Sequence, residues 1–401
     1  MLNLRQKALL ALLKPNNGEF DFSVLSAEDW LAIKNESIAQ AVALLAFDGT
    51  QKYKSLIPQN IYSAWFNASM KYLVNNSKVL TSQNNLVKIL DNNNLSYVIL
   101  KGLASASYYP DPKKRILGDV DFLIDPDEQA SVETALINEG YKKDLEEHIC
   151  HRAFKKPHEH FEMHFEVAGI PDGKAGNLFR DYLKSATNDY SLNANPVFKN
   201  PLPEIHATVI LLHTIHHLLG EGLGLRHLCD WAYFVDKTHN DTFWKYKFLP
   251  LLKKSGTLTF ASIITKTAHI YLGTTCPEWA ADTDNDLCEQ VIIDLFNSGN
   301  LGKKDKNRAG AGKMISQNGK SGTKNSKLKN QFLTLKNSMY YLYPFLHKWK
   351  ILYPFIFVWR IIRYLILMLY GKRPSLIKAN AYANERLALY KQFKLYENTE
   401  E

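Results

Sequence analysis

The chain predicts an α+β fold, a small β-sheet core embedded between N-terminal and C-terminal helical regions. Three observations predict it. Short apolar or alternating runs that suit strands fall together between about residues 91 and 195. Stretches with helical periodicity lie on either side of them. With 401 residues and 46% hydrophobic content, the chain is long enough for two or three structural units around a real core. The expected divisions are a helical region over 1–90, the sheet core over 91–195, a helical domain over 196–300, a flexible basic loop over 301–330, and a C-terminal helical region with one apolar helix over 331–401.

At the N-terminus, Arg5 and Lys7 precede a short Ala-Leu run that Lys14 interrupts. The run is too short for the apolar region of a signal peptide, so none is expected. Ser26 to Asp29 resembles a capping box with Asp29 where Glu or Gln is usual, opening a periodic helix from about Trp30 to Leu45. Helical patterns continue through Ile61 to Leu90, and no internal repeat is present.

The core begins at the turn cluster of residues 91–96. Tyr97 to Leu100 is a buried-strand run that ends on Lys101-Gly102. Residues 103–108 suit a short helix whose free N–H groups would face an anion, with Lys101 adding a point charge. Pro110 and Pro112 stop that helix and start the return connection. Asp119 and Asp121 then stand two apart among Val120, Phe122, Leu123 and Ile124. In a strand both carboxylates leave one face while Val120 and Phe122 enter the core. Two like charges on a half-buried face repel unless a cation lies between them, and a hard divalent ion such as Mg²⁺ (or Mn²⁺) is the usual partner. The pair by itself is also compatible with simple polar punctuation at a strand end.

Residues 158–167 alternate. His158, His160, Glu162, His164 and Glu166 share one face; Phe161, Met163, Phe165 and Val167 share the other. That polar row suits a cleft beside the aspartates, with Glu162 as third metal ligand, and equally a solvated strand face. A zinc set of His158, His160 and His164 fits no common spacing. Arg115 offers a planar fork for leaving phosphates, or is a surface arginine after Lys113 and Lys114.

Further on, residues 203–219 read as a buried helix with Pro203 in its first turn, and His206, His213 and His217 fall roughly on one face. Gly220 to Gly224 is a hinge-like loop before a helix over Leu225 to Val235. Arg226 and Asp230 stand one turn apart, either as an i,i+4 pair or, with His216, bordering the cleft to bind base, ribose or acceptor. Cys150, Cys229, Cys276 and Cys288 show no metal or disulfide spacing, which suits a reducing cytoplasm.

The net charge of +9 is local. Residues 302–330 hold nine Lys or Arg against Asp305 alone. This Gly-, Ser- and Lys-rich stretch is expected to be a solvated loop, with contact to tRNA, another polyanion or anionic lipid as its functional alternative. Residues 351–370 are long and apolar enough to span a bilayer, yet Arg360 and Arg363 fall near the middle. The readings are a packed helix, an interfacial membrane helix over 351–374 peripheral to the inner face, or a true span.

Residues 98–102 (Val-Ile-Leu-Lys-Gly), Tyr109-Pro110, Arg115 and residues 118–124 (Gly-Asp-Val-Asp-Phe-Leu-Ile) together resemble the poorly characterised bacterial nucleotidyltransferase family within the DNA polymerase β-like superfamily. The strand with Glu162 two before His164, the histidines of 212–217, and the Arg226 and Asp230 element are similar to later parts of that family. The resemblance covers about residues 20–375. It implies a small mixed sheet with flanking helices and metal-assisted transfer of a nucleoside monophosphate from a nucleoside triphosphate. Asp119, Asp121 and Glu162 would hold Mg²⁺, and Lys101 and Gly102 would contact the triphosphate. The acceptor (small molecule, sugar, peptide or RNA) is not implied. Lys101-Gly102 stands where Gly-Ser is usual, and Glu162 where aspartate is commoner. His164 or Glu162 would take the acceptor's proton. The alternative is a nucleotide-binding or membrane-associated module that keeps the fold without transfer.

Overall fold

In a computed structural model the described residues are 1–14, 20–144, 148, 150–194, 196–220, 222–304, 339, 343, 346, 349–369, 386 and 388–397. The fold is α+β. Helices α1 (Leu4–Leu13), α2 (Ala27–Ala39), α3 (Ala43–Gly49) and the long α4 (Gln59–Asn92) precede the sheet. The Ser26 capping box forms, with Asp29 accepting from the Ser26 amide and the Ser26 hydroxyl accepting from the Asp29 amide.

The single helix expected to reach Leu45 is instead two, broken at Ala41, whose φ is +55°. The break has a physical cause. Buried Gln40 donates to the Leu295 carbonyl (3.1 Å) and accepts from the Leu225 amide (3.0 Å), satisfying backbone groups at the ends of two other helices. A continuous helix would also occupy the Gln40 carbonyl, which here accepts from the Arg226 amide at 3.3 Å.

The sheet runs β1 (Tyr97–Ile99), β2 (Val120–Ile124), β5 (Glu159–His164), β4 (His151–Lys156), β3 (Lys142–Lys143) from edge to edge. It is mixed: β2 and β5 pair parallel, and the other neighbours pair antiparallel. Alternation sorts its two faces. Ile99, Val120, Phe122, Ile124, Phe154 and Phe161 pack against Leu86 and Leu90 of α4 and Leu136 of α6 (Gln129–Asn138). Val98, Leu100 and Leu123 point the other way into a second apolar cluster, built from the helical region that roofs that face.

Helix α5 is shorter than expected, Leu103–Ala106. After β5, α7 (Lys174–Leu183) and a hairpin of β6 (Tyr190–Ala194) and β7 (Val197–Pro201) lead to the roof. Lys199 of β7 sits 4.5 Å over the Tyr97 ring of β1. The roof comprises α8 (Pro203–Leu219), α9 (Leu225–Thr238), α10 (Leu249–Ser255), α11 (Leu258–Leu272), α12 (Glu278–Ala281) and α13 (Asn285–Ser298). Pro203 opens α8 at its first turn.

Sheet and roof are tied by a buried ion pair. Arg115 donates from Nε and Nη2 to the two oxygens of Asp230 on α9, both at 2.8 Å, and the Tyr109 hydroxyl donates to the same carboxylate at 2.6 Å. The side chains are 6% and 8% exposed, so this is an interior pair. Asp230 is therefore held by Arg115, 115 residues away in sequence, and not by its i,i+4 neighbour Arg226.

His158 takes φ +69° in the β4–β5 turn, and Glu166 lies past the strand end, bonded to Arg180 at 2.5 Å. Neither shares the strand face expected of it, because the strand runs only from Glu159 to His164. The basic loop lies outside the described residues from 305 to 330; before it, Lys304 bonds Glu36. Helix α14 (Tyr353–Leu369) forms where the apolar stretch was expected; Phe355, Val358, Trp359 and Leu369 are exposed on one side, and Tyr353, Phe357 and Arg360 are half-buried.

Two stability outcomes follow. Asp230→Ala leaves Arg115 buried without its partner and should cost about 3–5 kcal/mol in urea unfolding, while a paired Arg115→Met, Asp230→Leu exchange should recover most of it. Phe161→Ala, which empties the fully buried centre of the sheet, should cost about 3–5 kcal/mol by the same measurement.

Candidate active site

Parallel pairing places Asp121 of β2 directly beside Glu162 of β5, and Leu123 beside His164. Because the pleat period is two, Asp121, Glu162 and His164 leave the face opposite α4, together with Asp119 just before β2. His164 Nε2 lies 3.1 Å from Asp121 Oδ1 and 3.6 Å from Glu162 Oε2. Lys101, at the end of β1, reaches the same Asp121 oxygen at 2.6 Å. Gly102 follows with φ +65°, a conformation that a side chain would strain, and turns the chain into α5. Five sequence-predicted residues thus meet in one cluster: Lys101, Asp119, Asp121, Glu162 and His164.

The electrostatics follow from burial and crowding. Burial, and then the neighbouring carboxylates Asp121 and Glu162, push Asp119 up to about 6 against the pull of Lys101. Burial works against ionisation of Asp121, but Lys101 and His164 outweigh it and hold that carboxyl below its usual range. His164 shows the mirror case. Burial opposes its charge, yet bonds to Asp121, Cys150 and Glu162 raise it to about 10, so it carries a proton at neutral pH. Lys101 is held above its ordinary value by Asp121, Glu162 and Asp119 despite the opposing burial. Three carboxylates face two cations, a donor set of hard oxygens crowded enough to suit a divalent ion.

The remaining predicted residues stand around this cluster. Arg115 and Asp230 are engaged with each other beneath it. Arg226 lies on the roof at the start of α9, and its buried Nε has no partner among the described residues. Its charge is felt alongside those of Asp119 and Arg115. His216 lies on the exposed side of α8, near enough to Lys101, His151 and His164 to feel their charges. His206, His213 and His217 sit inside the roof: His206 contacts the Tyr108 hydroxyl at 3.1 Å, and His213 and His217 contact each other at 3.1 Å.

Two residues escaped the sequence reading. His151 opens β4 opposite His164, with ring centroids 5.0 Å apart. Cys150 precedes it, its thiol 3.1 Å from His148 Nδ1; burial raises that thiol, but His148 and His164 bring it down to about 7. The signal was the turn at Pro157 and His158. Read as a hairpin, it pairs residues 151–156 with 159–164 and places His151 on the site face.

Comparison with known proteins agrees with this geometry. No curated protein and no solved structure matches the chain. A family model described as uncharacterised nucleotidyltransferase matches residues 26–273, which include the whole sheet, the carboxylate cluster and the roof helices α8 and α9. With more than half its length matched around that cluster, the chain belongs to the uncharacterised nucleotidyltransferase family.

Proposed function

We propose that the protein is a metal-dependent nucleotidyltransferase of the DNA polymerase β-like type, moving a nucleoside monophosphate from a nucleoside triphosphate to an acceptor hydroxyl or phosphate. The observation that carries this reading is the register of Asp121 against Glu162, with Asp119 and Lys101 on the same face. Asp119, Asp121 and Glu162 would hold Mg²⁺ or Mn²⁺. Bound there, the ion supplies charge neutralisation and orientation of triphosphate oxygens.

The protein's own groups divide the remaining work. Lys101, at the β1–α5 turn, gives the triphosphate a cation, and Arg226, with its unpartnered Nε, gives it a donor fork on the roof. Arg115 acts one step back: locked to Asp230, it fixes α9 and hence Arg226 over the sheet. The acceptor oxygen bonds to the α-phosphorus as the bond to the bridging oxygen breaks, and pyrophosphate leaves with that electron pair. Bonds to Asp121, Cys150 and Glu162 favour the charged form of His164, which suits it to a countercharge more than to a base. Glu162 therefore receives the acceptor's proton, and His164 serves as a fixed countercharge beside it. His216 and His151 line the approach for the base, ribose or acceptor.

Two outcomes test this. Incubated with each labelled nucleoside triphosphate, Mg²⁺ and a cell extract, the wild type should transfer label to RNA, protein or a small molecule. Asp121→Ala should lower the rate at least a thousandfold. Equal labelling by wild type and variant, or none with any nucleotide, would overturn the enzymatic reading and leave a nucleotide-binding module. Metal binding should also depend on pH. Asp119 must be ionised to act as a ligand, so Mn²⁺ affinity by calorimetry should fall about tenfold per unit as pH drops below 6, and level off above it. Asp119→Asn should remove that inflection.

A further inference from the structure

Helix α14 presents a face that the rest of the protein does not cover. Phe355, Val358, Trp359, Ile362, Ile366 and Leu369 follow the i, i+3, i+4, i+7 spacing and occupy an arc of about 100° at roughly 100° per residue. All six are exposed, Phe355 at 72% and Leu369 at 81%. Arg360 projects from the opposite side, and Arg363 stands at the edge of the stripe. The helix is thus amphipathic, with its two charges displaced from one apolar face.

The surrounding sequence supplies a second, independent observation. Residues 306–384 contain 15 Lys or Arg and no Asp or Glu. The other 322 residues hold 34 Lys or Arg against 40 Asp or Glu, a balance of −6. All of the chain's basic excess therefore lies in the stretch of sequence that contains this one apolar helix. Such a combination fits one occupant. A second copy packed symmetrically through the same stretch would bring the same cations against them with no carboxylate to pair. A nucleic acid would meet the charge but leave the apolar stripe in water. A spanning helix would carry both arginines into hydrocarbon, where each costs roughly 2.5–3.5 kcal/mol on insertion scales.

We propose that α14 lies in the plane of an anionic lipid bilayer, the stripe of Phe355, Trp359 and Ile362 buried among acyl chains, with the cations of the helix and of the neighbouring sequence favouring acidic lipid. The apolar face provides the depth of insertion, and the basic flanks provide selectivity for acidic lipid. The anchor is separate from the carboxylate cluster and does not depend on the reaction assigned to it.

The test is flotation of the full-length protein with vesicles of phosphatidylcholine, alone or with phosphatidylglycerol at roughly three parts in ten, at low and high salt. The protein should float with the acidic vesicles, far less with neutral ones, less at high salt, and should be released by alkaline carbonate. The double substitution Phe355→Glu, Ile362→Glu should weaken flotation at least tenfold, with thermal melting as the folding control. If that variant does not fold, Arg360→Gln, Arg363→Gln should still weaken binding several-fold and flatten its salt dependence. Equal flotation with neutral vesicles, resistance to carbonate, or a salt-insensitive dimer by light scattering with no flotation would each overturn the proposal. So would binding to a tRNA probe with no binding to either vesicle.

Discussion

Asp121 and Glu162 stand side by side on adjacent parallel strands, where two carboxylates on a covered face repel each other and lose their water. The structure meets that penalty with Lys101 from β1 and His164 from β5, and each cation arrives only because its strand is in register with β2. Parallel pairing of β2 with β5 requires a crossover. The chain supplies it as α6, β3 and β4 before returning on β5. A slip of one residue on β5 would send Glu162 and His164 into the apolar layer under α4 and bring Phe161 and Met163 to the cleft. The burial of Phe161 and Met163 thus holds the register of the carboxylate cluster as well as the core.

A second constraint concerns the roof. A sheet with charges on one face needs an opposing surface that excludes water without adding acid, and α8 and α9 provide one rich in buried neutral histidine. Burial pushes His206 down to about 4, so it adds no charge above the site. The cationic contribution comes instead from Arg226, positioned through the Arg115–Asp230 pair and through Gln40, whose carbonyl accepts from the Arg226 amide at 3.3 Å. The kink at Ala41 is therefore part of how the cleft is built, although it lies about 80 residues upstream of the aspartates.

The sheet core and its carboxylates were legible because their signals are local and periodic: alternation around Phe122 and Phe161, and a positive φ taken by glycine after Lys101. The site face of β5 could be read from Glu162 and His164, but not its limits, since the turn conformation of His158 and the strand end before Glu166 depend on hairpin geometry. Arg115 and Asp230 were each singled out, yet their pairing was not foreseen, because a contact 115 residues apart leaves no mark on spacing. The helix expected through Leu45 failed for the same reason: periodicity favours continuity there, and only the tertiary demand of the Leu225 amide and Leu295 carbonyl explains the break. His151 was missed since β4 has little alternation of its own.

Charge is partitioned in this molecule in a way that bears on how a triphosphate is met. The part of the chain containing the cleft is net acidic, and the large basic excess lies in residues 306–384, around α14. On the proposed function, a nucleotide would be met by the half-buried cations beside the carboxylates, Lys101 and Arg226, whose fields are less screened than those of exposed groups. Burial strengthens their attraction for phosphate and equally their attraction for Asp121 and Asp119. On the proposed function, binding of an anionic substrate would be an exchange of partners within the cleft, and a divalent ion on Asp119, Asp121 and Glu162 would leave those cations available for it.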